Sequence, residues 1–162
     1  MTRPALARHF VRMEHKVVLA APADIPSWLE IVRAVEPLFG PMPMFEITLR
    51  TKMDEAQALC VRSASGRVEG GLLLGGERPD VWIRWLAVRR SSRGRGIGAA
   101  LISEALRRAP APCRISLTTF GPDIAAGMAA RRLYERFGFA AGEMQPRGPE
   151  GGTRQLFTLV RP

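Results

Sequence analysis

Four arginines and three glycines interleave over a short stretch of this chain: Arg89, Arg90, Arg93 and Arg95 with Gly94, Gly96 and Gly98. Residues of these types at this spacing can hold a phosphate. Glycine lets the backbone pass close to a bulky anion and adopt positive φ, while arginine supplies charge and paired N–H donors. A helix beginning just beyond the turn adds outward-pointing amides backed by the positive end of its dipole. The chemistry on offer is recognition of a phosphorylated ligand. Other reactive residue types add little. Cys60 and Cys113 lie in apolar, strand-like runs and are expected to be buried small hydrophobes in reducing surroundings. His9 and His15 have no partner at metal-ligand spacing, so no metal is expected.

The elements that must position this turn can be read on either side of it. Residues 81–88 are apolar, β-branched and aromatic, which predicts a strand. Ile97, Leu101 and Ala105 fall on one helical row and Ile102 and Leu106 on the next, so a helix starts at Ile97 or Gly98. Upstream, strands over 58–62 and 67–74 join the 81–88 strand through turns at 63–66 and 75–79, forming an antiparallel meander with Gly70 and Gly71 as candidate bulges. Before the meander come a strand over 16–20 and an amphipathic helix over 27–35. That helix has Asp24 as its N-cap and Pro26 in its first turn, and Pro37 ends it. Residues 37–45 read as an apolar loop broken by prolines, followed by a short helix over 45–53. Downstream, Pro110 and Pro112 precede a strand over 114–119. Gly121, Pro122 and Asp123 then cap a helix carrying Ala126, Ala130, Leu133 and Phe137, and Gly138 stops it. Extended chain from Phe139, a turn at 148–152 and a last strand over 155–160 complete the reading. The fold class is α/β or α+β, a mixed sheet covered by about four helices.

With 162 residues the chain is long enough for one domain with a sizeable core. The net charge of +9 is carried almost wholly by arginine, with Lys16 and Lys52 the only lysines. Such a surplus permits nucleic acid, an anionic membrane or a polyphosphorylated ligand as partner. No nucleic acid partner is expected, because no binding motif and no interleaving of basic and aromatic residues is present. No membrane association is expected either, because no apolar run approaches the length of a span. Residues 1–14 contain Arg3, Arg8 and Arg12 without an apolar signal core and read as an N-terminal arm ahead of a single domain over 15–162. The expected location is the cytoplasm.

Four readings meet at the glycine turn. Gly94-x-Gly96-x-x-Ala99 matches a loose dinucleotide fingerprint, but no acidic residue stands about 20 positions on to hold a ribose. A nucleotide-hydrolase phosphate loop needs a lysine that is missing here. The glycines could also serve only a tight turn and close packing of the helix. The run from Leu86 to Gly98, however, resembles the acyl-CoA-binding motif of the GNAT acetyltransferase superfamily, Arg/Gln-x-x-Gly-x-Gly/Ala, satisfied by Arg93, Gly96 and Gly98. Its second signature, A-x-x-L-Y-E-K/R-x-G-F, is resembled by Ala130 to Phe139 with Leu133, Tyr134 and Gly138 in place. The likeness is good over about 58–139 and holds only in outline before that.

The resemblance implies a mostly antiparallel mixed sheet of six to seven strands flanked by about four helices, with a parallel pair splayed apart at the CoA site. It implies acetyl-CoA as co-substrate, held by Leu86, Ala87, Val88, Arg93, Gly94, Arg95, Gly96, Ile97, Gly98 and Ala99. The backbone near Leu86 and Val88 is expected to pair with the pantetheine arm, and an amide there to polarise the thioester carbonyl. The implied activity is N-acetylation of a primary amine, on a small molecule, peptide or protein, by direct attack, with Tyr134 as general acid for the departing thiolate. Core packing is the competing role for Tyr134. Transfer of a longer acyl chain, or CoA binding without turnover as a sensor or partner protein, are the alternatives. Three departures from the pattern stand out: Arg90 in place of a frequent proline, Gly127 in place of a frequent asparagine, and the segment from Phe120 to Asp123. The strand ahead of the turn offers Trp82, Ile83, Arg84 and Trp85 where the family often has a basic carboxylate; Glu69, Glu77 and Asp80 lie nearby in sequence, and no base is assigned. By the same resemblance the acceptor lies against Leu38, Phe39, Met42, Met44 and Phe45, with Glu36 and Glu46 available to attract an ammonium group. Strict alternation would put Trp82 and Trp85 on opposite faces. A homodimer is a further expectation.

Overall fold

A computed structural model describes residues 14–162 of the protein, so all but Glu14 of the expected arm lies outside the described residues. The elements are β1 (Val17–Leu19), α1 (Ile25–Phe39), α2 (Phe45–Asp54), β2 (Ala58–Arg62), β3 (Val68–Glu77), β4 (Asp80–Val88), α3 (Ile97–Arg108), β5 (Cys113–Phe120), α4 (Met128–Arg136), β6 (Ala140–Gln145) and β7 (Arg154–Arg161). One seven-stranded sheet runs in the order β1-β2-β3-β4-β5-β7-β6. Only β4 and β5 are parallel, and their crossover is α3. They pair from Asp80 opposite Arg114 to Trp82 opposite Ser116, then part company. The expected architecture is present, including the splayed pair. No described helix is long and apolar enough to cross a membrane.

Two apolar layers sandwich the sheet. On one side Ile97, Leu101, Ile102 and Ala105 of α3 pack with Leu72, Ile83, Ile115, Leu117 and Phe157. On the other, Trp28, Ile31 and Val35 of α1 and Phe45 and Leu49 of α2 pack with Leu73, Trp85 and Ala87. Trp28 is fully buried, which at roughly 25 cal/mol per Å² over the roughly 200 Å² of such a ring contributes about 5 kcal/mol before entropy is counted. It seats directly on Gly71, and Ile97 seats on Gly70, where an added Cβ would lie 2.7 Å from its Cγ2. The adjacent glycines are therefore docking points for helices on opposite faces, not the expected bulges.

The bulges fall elsewhere. One lies between Val61 and Arg62. At the other, Leu73 pairs with Trp85 and Leu74 with Ile83, which leaves Arg84 as an extra residue in β4. An extra residue reverses the alternation. Val81 and Ile83 belong to the α3 layer, yet Trp85 and Ala87 belong to the α1 layer. Trp82 therefore shares a face with Trp85, and the expectation of opposite faces fails at the bulge.

Several element ends also differ. Pro37 lies within α1, which continues to Phe39. A proline in the last turn removes only one amide donor, and the burial of Phe39 against Trp85 and Phe120 holds the turn in place. Gly40 ends the helix at φ 84, its amide donating to the Glu36 carbonyl at 2.7 Å. Asp24 precedes α1 but its carboxylate does not cap that helix. It accepts from the Ala21 amide at 2.7 Å and from Arg62 Nε and Nη2 at 2.7 and 2.6 Å. Asp123 likewise turns away from α4 and accepts from the Thr153 hydroxyl. Strand β3 extends to Glu77, shortening the turn before β4. Gly138, at φ 93 after α4, occupies the expected left-handed stop.

Candidate active site

A cleft of about 620 Å³ opens where β4 leaves β5. Past Trp82 the backbone of β4 stays paired with β3 but has no partner strand on its β5 side, so the alternate amides and carbonyls of residues 83–88 that face that side meet no β5 ladder along the cleft floor. Leu86, Ala87, Val88, Arg93, Gly94, Gly96, Ile97, Gly98, Ala99 and Tyr134 all line this one space. Arg95 is the expected cofactor residue whose side chain does not. Instead its carbonyl accepts a hydrogen bond from His15 Nε2 at 2.6 Å. Facing a carbonyl, that ring nitrogen must be the protonated one. Nothing in the sequence pointed to His15, which is 80 residues away.

Each glycine in the turn has a different task. Gly94 and Gly96 stand at φ 76 and 86, in the left-handed region that side chains disfavour. Gly98 has ordinary φ but lies under α4, and a Cβ there would come 3.0 Å from Leu133 Cδ2. The first helical bond of α3 runs from the Ala100 amide to the Gly96 carbonyl at 3.0 Å. The amides of Ile97, Gly98 and Ala99 thus have no helical acceptor and are available to an anion. Arg93 Nε folds back onto the Val88 carbonyl at 3.1 Å, drawing the turn against the end of β4.

Tyr134 is 6 % exposed and packs at 5.9 Å from Phe139 and 6.2 Å from Phe157. It is both a core residue and part of the cleft wall. Burial pushes its phenol above the ordinary value, so it stays protonated at neutral pH. Three residues earlier, Arg131 is buried with no carboxylate beside it. It donates to the Phe120 carbonyl at 2.9 Å and to Gln155 Oε1 at 2.8 Å, and its guanidinium lies 4.9 Å from the Phe157 ring centre. It fixes the free end of β5, and sequence reading missed it. The departure at Gly127 also has a steric reason: a Cβ there would lie 2.5 Å from Phe120 Cβ.

The far half of the cleft is walled by Leu38 and Phe39 from the end of α1, Met42 from the α1–α2 connection, Trp85 from β4, Phe120 from β5, and Pro149 and Arg154 from the β6–β7 turn and its exit. Phe39 touches both Trp85 and Phe120, at centroid separations of 6.0 and 5.6 Å. Arg154 stacks 4.7 Å over Phe120 and is held by Glu150. Gly40 lies under Pro149, with room for no side chain between them, so the two connecting loops meet over this end. Two expected wall residues are elsewhere: Met44 is exposed, and Phe45 is buried beneath Trp85 at 5.0 Å. Glu36 and Glu46 are exposed and outside the cleft, Glu46 facing Arg50 at 3.7 Å. Glu69, Glu77 and Asp80 do not line it either. Among the described residues the lining has four arginines and no aspartate, glutamate or histidine. No cluster of metal-ligating side chains is found among the described residues.

The cysteines take no part. Both are free and buried, and burial together with the Asp24 carboxylate pushes the Cys60 thiol up to about 12.

The model of the Acetyltransferase (GNAT) family matches residues 25–139. No curated protein sequence matches the chain. Solved structures do. A chain of the NatC complex bound to Gag peptide and CoA superposes with TM-score 0.75 at 20% identity, covering 93% of this chain and 100% of that one. Ard1 from Thermoplasma volcanium superposes with TM-score 0.73 at 19% identity, covering 91% and 97%. A GNAT superfamily phosphinothricin acetyltransferase from Sinorhizobium meliloti in complex with AcCoA gives TM-score 0.70 at 20% identity, covering 91% and 89%.

Proposed function

The chain belongs to the GNAT acetyltransferase family, and we propose that it transfers an acetyl group from acetyl-CoA to a primary amine. One observation carries this reading: the glycine turn after β4 and Tyr134 on α4, which are 36 (from Gly98) to 40 (from Gly94) residues apart in sequence, open onto the same cleft at the strand splay. The cleft suits a diphosphate ester with a long amide arm. Left-handed glycines, free helical amides and Arg93 are grouped at one end, and the unpaired edge of β4 leads away from them.

When bound, acetyl-CoA supplies an activated acyl thioester. The protein's own contributions divide along the cleft. The turn holds the diphosphate, and the backbone of Leu86 and Val88 orients the arm and polarises the acyl carbonyl. Apolar walls at Phe39, Trp85 and Phe120 exclude water from the far half. The neutral amine attacks, the C–S bond breaks, and Tyr134 gives its proton to the leaving sulfur. A protonated phenol fits this task, because burial keeps Tyr134 un-ionised. No carboxylate in the described lining can take the proton from the amine, so water or the medium receives it. The solved relatives bound to peptide or to AcCoA support both a peptide amine and a small-molecule amine as acceptor classes.

The missing carboxylate also favours a second reading, an acyl-CoA-binding protein without turnover. Release of free CoA thiol across a panel of primary amines separates the two. Turnover of any amine supports transfer; acetyl-CoA binding without thiol release supports the sensor; no rise in melting temperature with saturating acetyl-CoA overturns both.

A further inference from the structure

We propose that the acceptor amine carries a carboxylate and that Arg84 binds it. This rests on the amine-acetylating reading above and names the substrate class for it. Arg84 is the extra residue of the β4 bulge and so departs from the alternation that buries its neighbours. Its guanidinium lies 4.8 Å from the Trp82 ring centre. Its stem lies in a notch left by Gly75, where a Cβ would fall 2.6 Å from Nε and 2.8 Å from Cγ. The side chain is thus held in one place by a stack and a glycine gap, although it is exposed and lines the cleft. Among the described residues it has no hydrogen-bond acceptor and no carboxylate within ion-pair distance.

The other cations of the lining are placed or occupied differently. Arg93 belongs to the glycine turn, where its Nε is bound to the Val88 carbonyl, and Arg136 to the last turn of α4. Arg154 is committed to Glu150 and to the carbonyls of Gly152 and Thr153. Arg84 alone offers an unmet charge beside Trp85 in the far half. That half carries no acidic side chain to hold an ammonium ion. A simple alkylammonium would meet only like charge there, whereas an amine bearing an anionic group gains a partner and brings its nitrogen in near neutral electrostatic cost. The planar fork of arginine matches a carboxylate with two parallel hydrogen bonds. The carboxylate can belong to a free amino acid or to an acidic residue at the start of a peptide.

The test uses matched pairs: free α-amino acids against their amides, and short peptides with aspartate against asparagine at the second position. Rates are read as CoA thiol release, and binding of the N-acetylated products to the CoA-loaded protein is read by calorimetry. Wild type should prefer the carboxylate member of at least one set by about tenfold or more. Which set responds identifies the source. Arg84→Ala should erase the preference, and Arg84→Lys should retain part of it, with the acetyl-CoA melting shift unchanged in both. Gly75→Ala, which leaves Arg84 itself intact but fills its notch, should weaken the preference in the same direction. Equal use of both members by wild type, or an Arg84→Ala protein with an unchanged ratio in rate and product affinity, overturns the proposal. Acetylation of amines without carboxylate preference overturns this proposal alone, whereas acetyl-CoA binding with no amine acetylated overturns the transfer reading and this proposal together.

Discussion

His15 Nε2 donates to the carbonyl of Arg95 across 2.6 Å, tying the segment just ahead of β1 to the middle of the glycine turn. The bond constrains the peptide between the two left-handed glycines, just ahead of the free amides of Ile97, Gly98 and Ala99. His15→Ala should weaken acetyl-CoA binding by a factor of about 2 to 10, the range expected for one exposed hydrogen bond. Calorimetric titration with acetyl-CoA checks this, and the maximal rate with saturating co-substrate should change little. An unaltered affinity would show that the turn holds its shape without the tie.

Gly96→Val places a β-branched side chain at φ 86, where the space is open but the backbone is not tolerated. The expected result is a folded protein, because the turn is at the surface, that has lost the rise in melting temperature with acetyl-CoA. Gly98→Leu acts by a different route, since it must push Leu133 and α4 away. It should lower the melting temperature without ligand as well. If Gly96→Val keeps the ligand shift, the anion does not sit on these amides.

The glycine-turn half of the cleft was legible because its residues are local: Arg93, Gly94, Gly96, Gly98 and Tyr134 lie in two short runs whose types and spacing are dictated by backbone geometry. The far half of the cleft is assembled from Phe39, Trp85, Phe120, Pro149 and Arg154, which are remote in sequence and of types that most cores contain. Its critical feature, the bulge at Arg84, leaves no trace in an alternating pattern until Leu73 and Leu74 are paired across the strand. Pro37 misled for a related reason, since local helix-breaking lost to the burial of Phe39. Asp24 stood where a cap belongs, but Arg62 offered it a stronger partner from strand β2. Burial alone would raise that carboxyl, yet the hydrogen bonds from Arg62 and the Ala21 amide and the guanidinium charge together hold it below its ordinary value.

Tyr134→Phe removes one oxygen and keeps the ring between Phe139 and Phe157, so it separates the two roles the residue holds. Turnover should fall by about 10²–10⁴ if the phenol protonates the thiolate, with acetyl-CoA affinity nearly unchanged. Stability carries a second signature. The folded phenol ionises above the ordinary value of 10.0. Below that value it is neutral in both states, and its contribution is fully present. Above it the unfolded chain ionises first, and stability is lost as pH rises toward the folded value. Wild type should therefore lose more stability than Tyr134→Phe between about pH 9 and 11, measured by denaturant titration. Equal turnover in the two proteins, with chemistry shown to limit the rate, would leave Tyr134 a packing residue.

The pH dependence of the reaction should belong to the substrate and not to the enzyme. Only the neutral amine attacks, and the described cleft lining has no carboxylate or imidazole to take its proton. At acidic and neutral pH the concentration of free amine then sets the rate. The value of kcat/KM should rise about tenfold per pH unit until the amine's own pKa, near 8 for a peptide α-amine and near 10 for an alkylamine. No falling limb should follow up to about pH 10, because burial keeps the Tyr134 phenol protonated beyond the ordinary range. The measurement is a set of profiles for acceptors of graded basicity. The rising limb should move with each acceptor, whereas a limb fixed near one pH for all of them would reveal an enzyme base and overturn direct attack by the free amine.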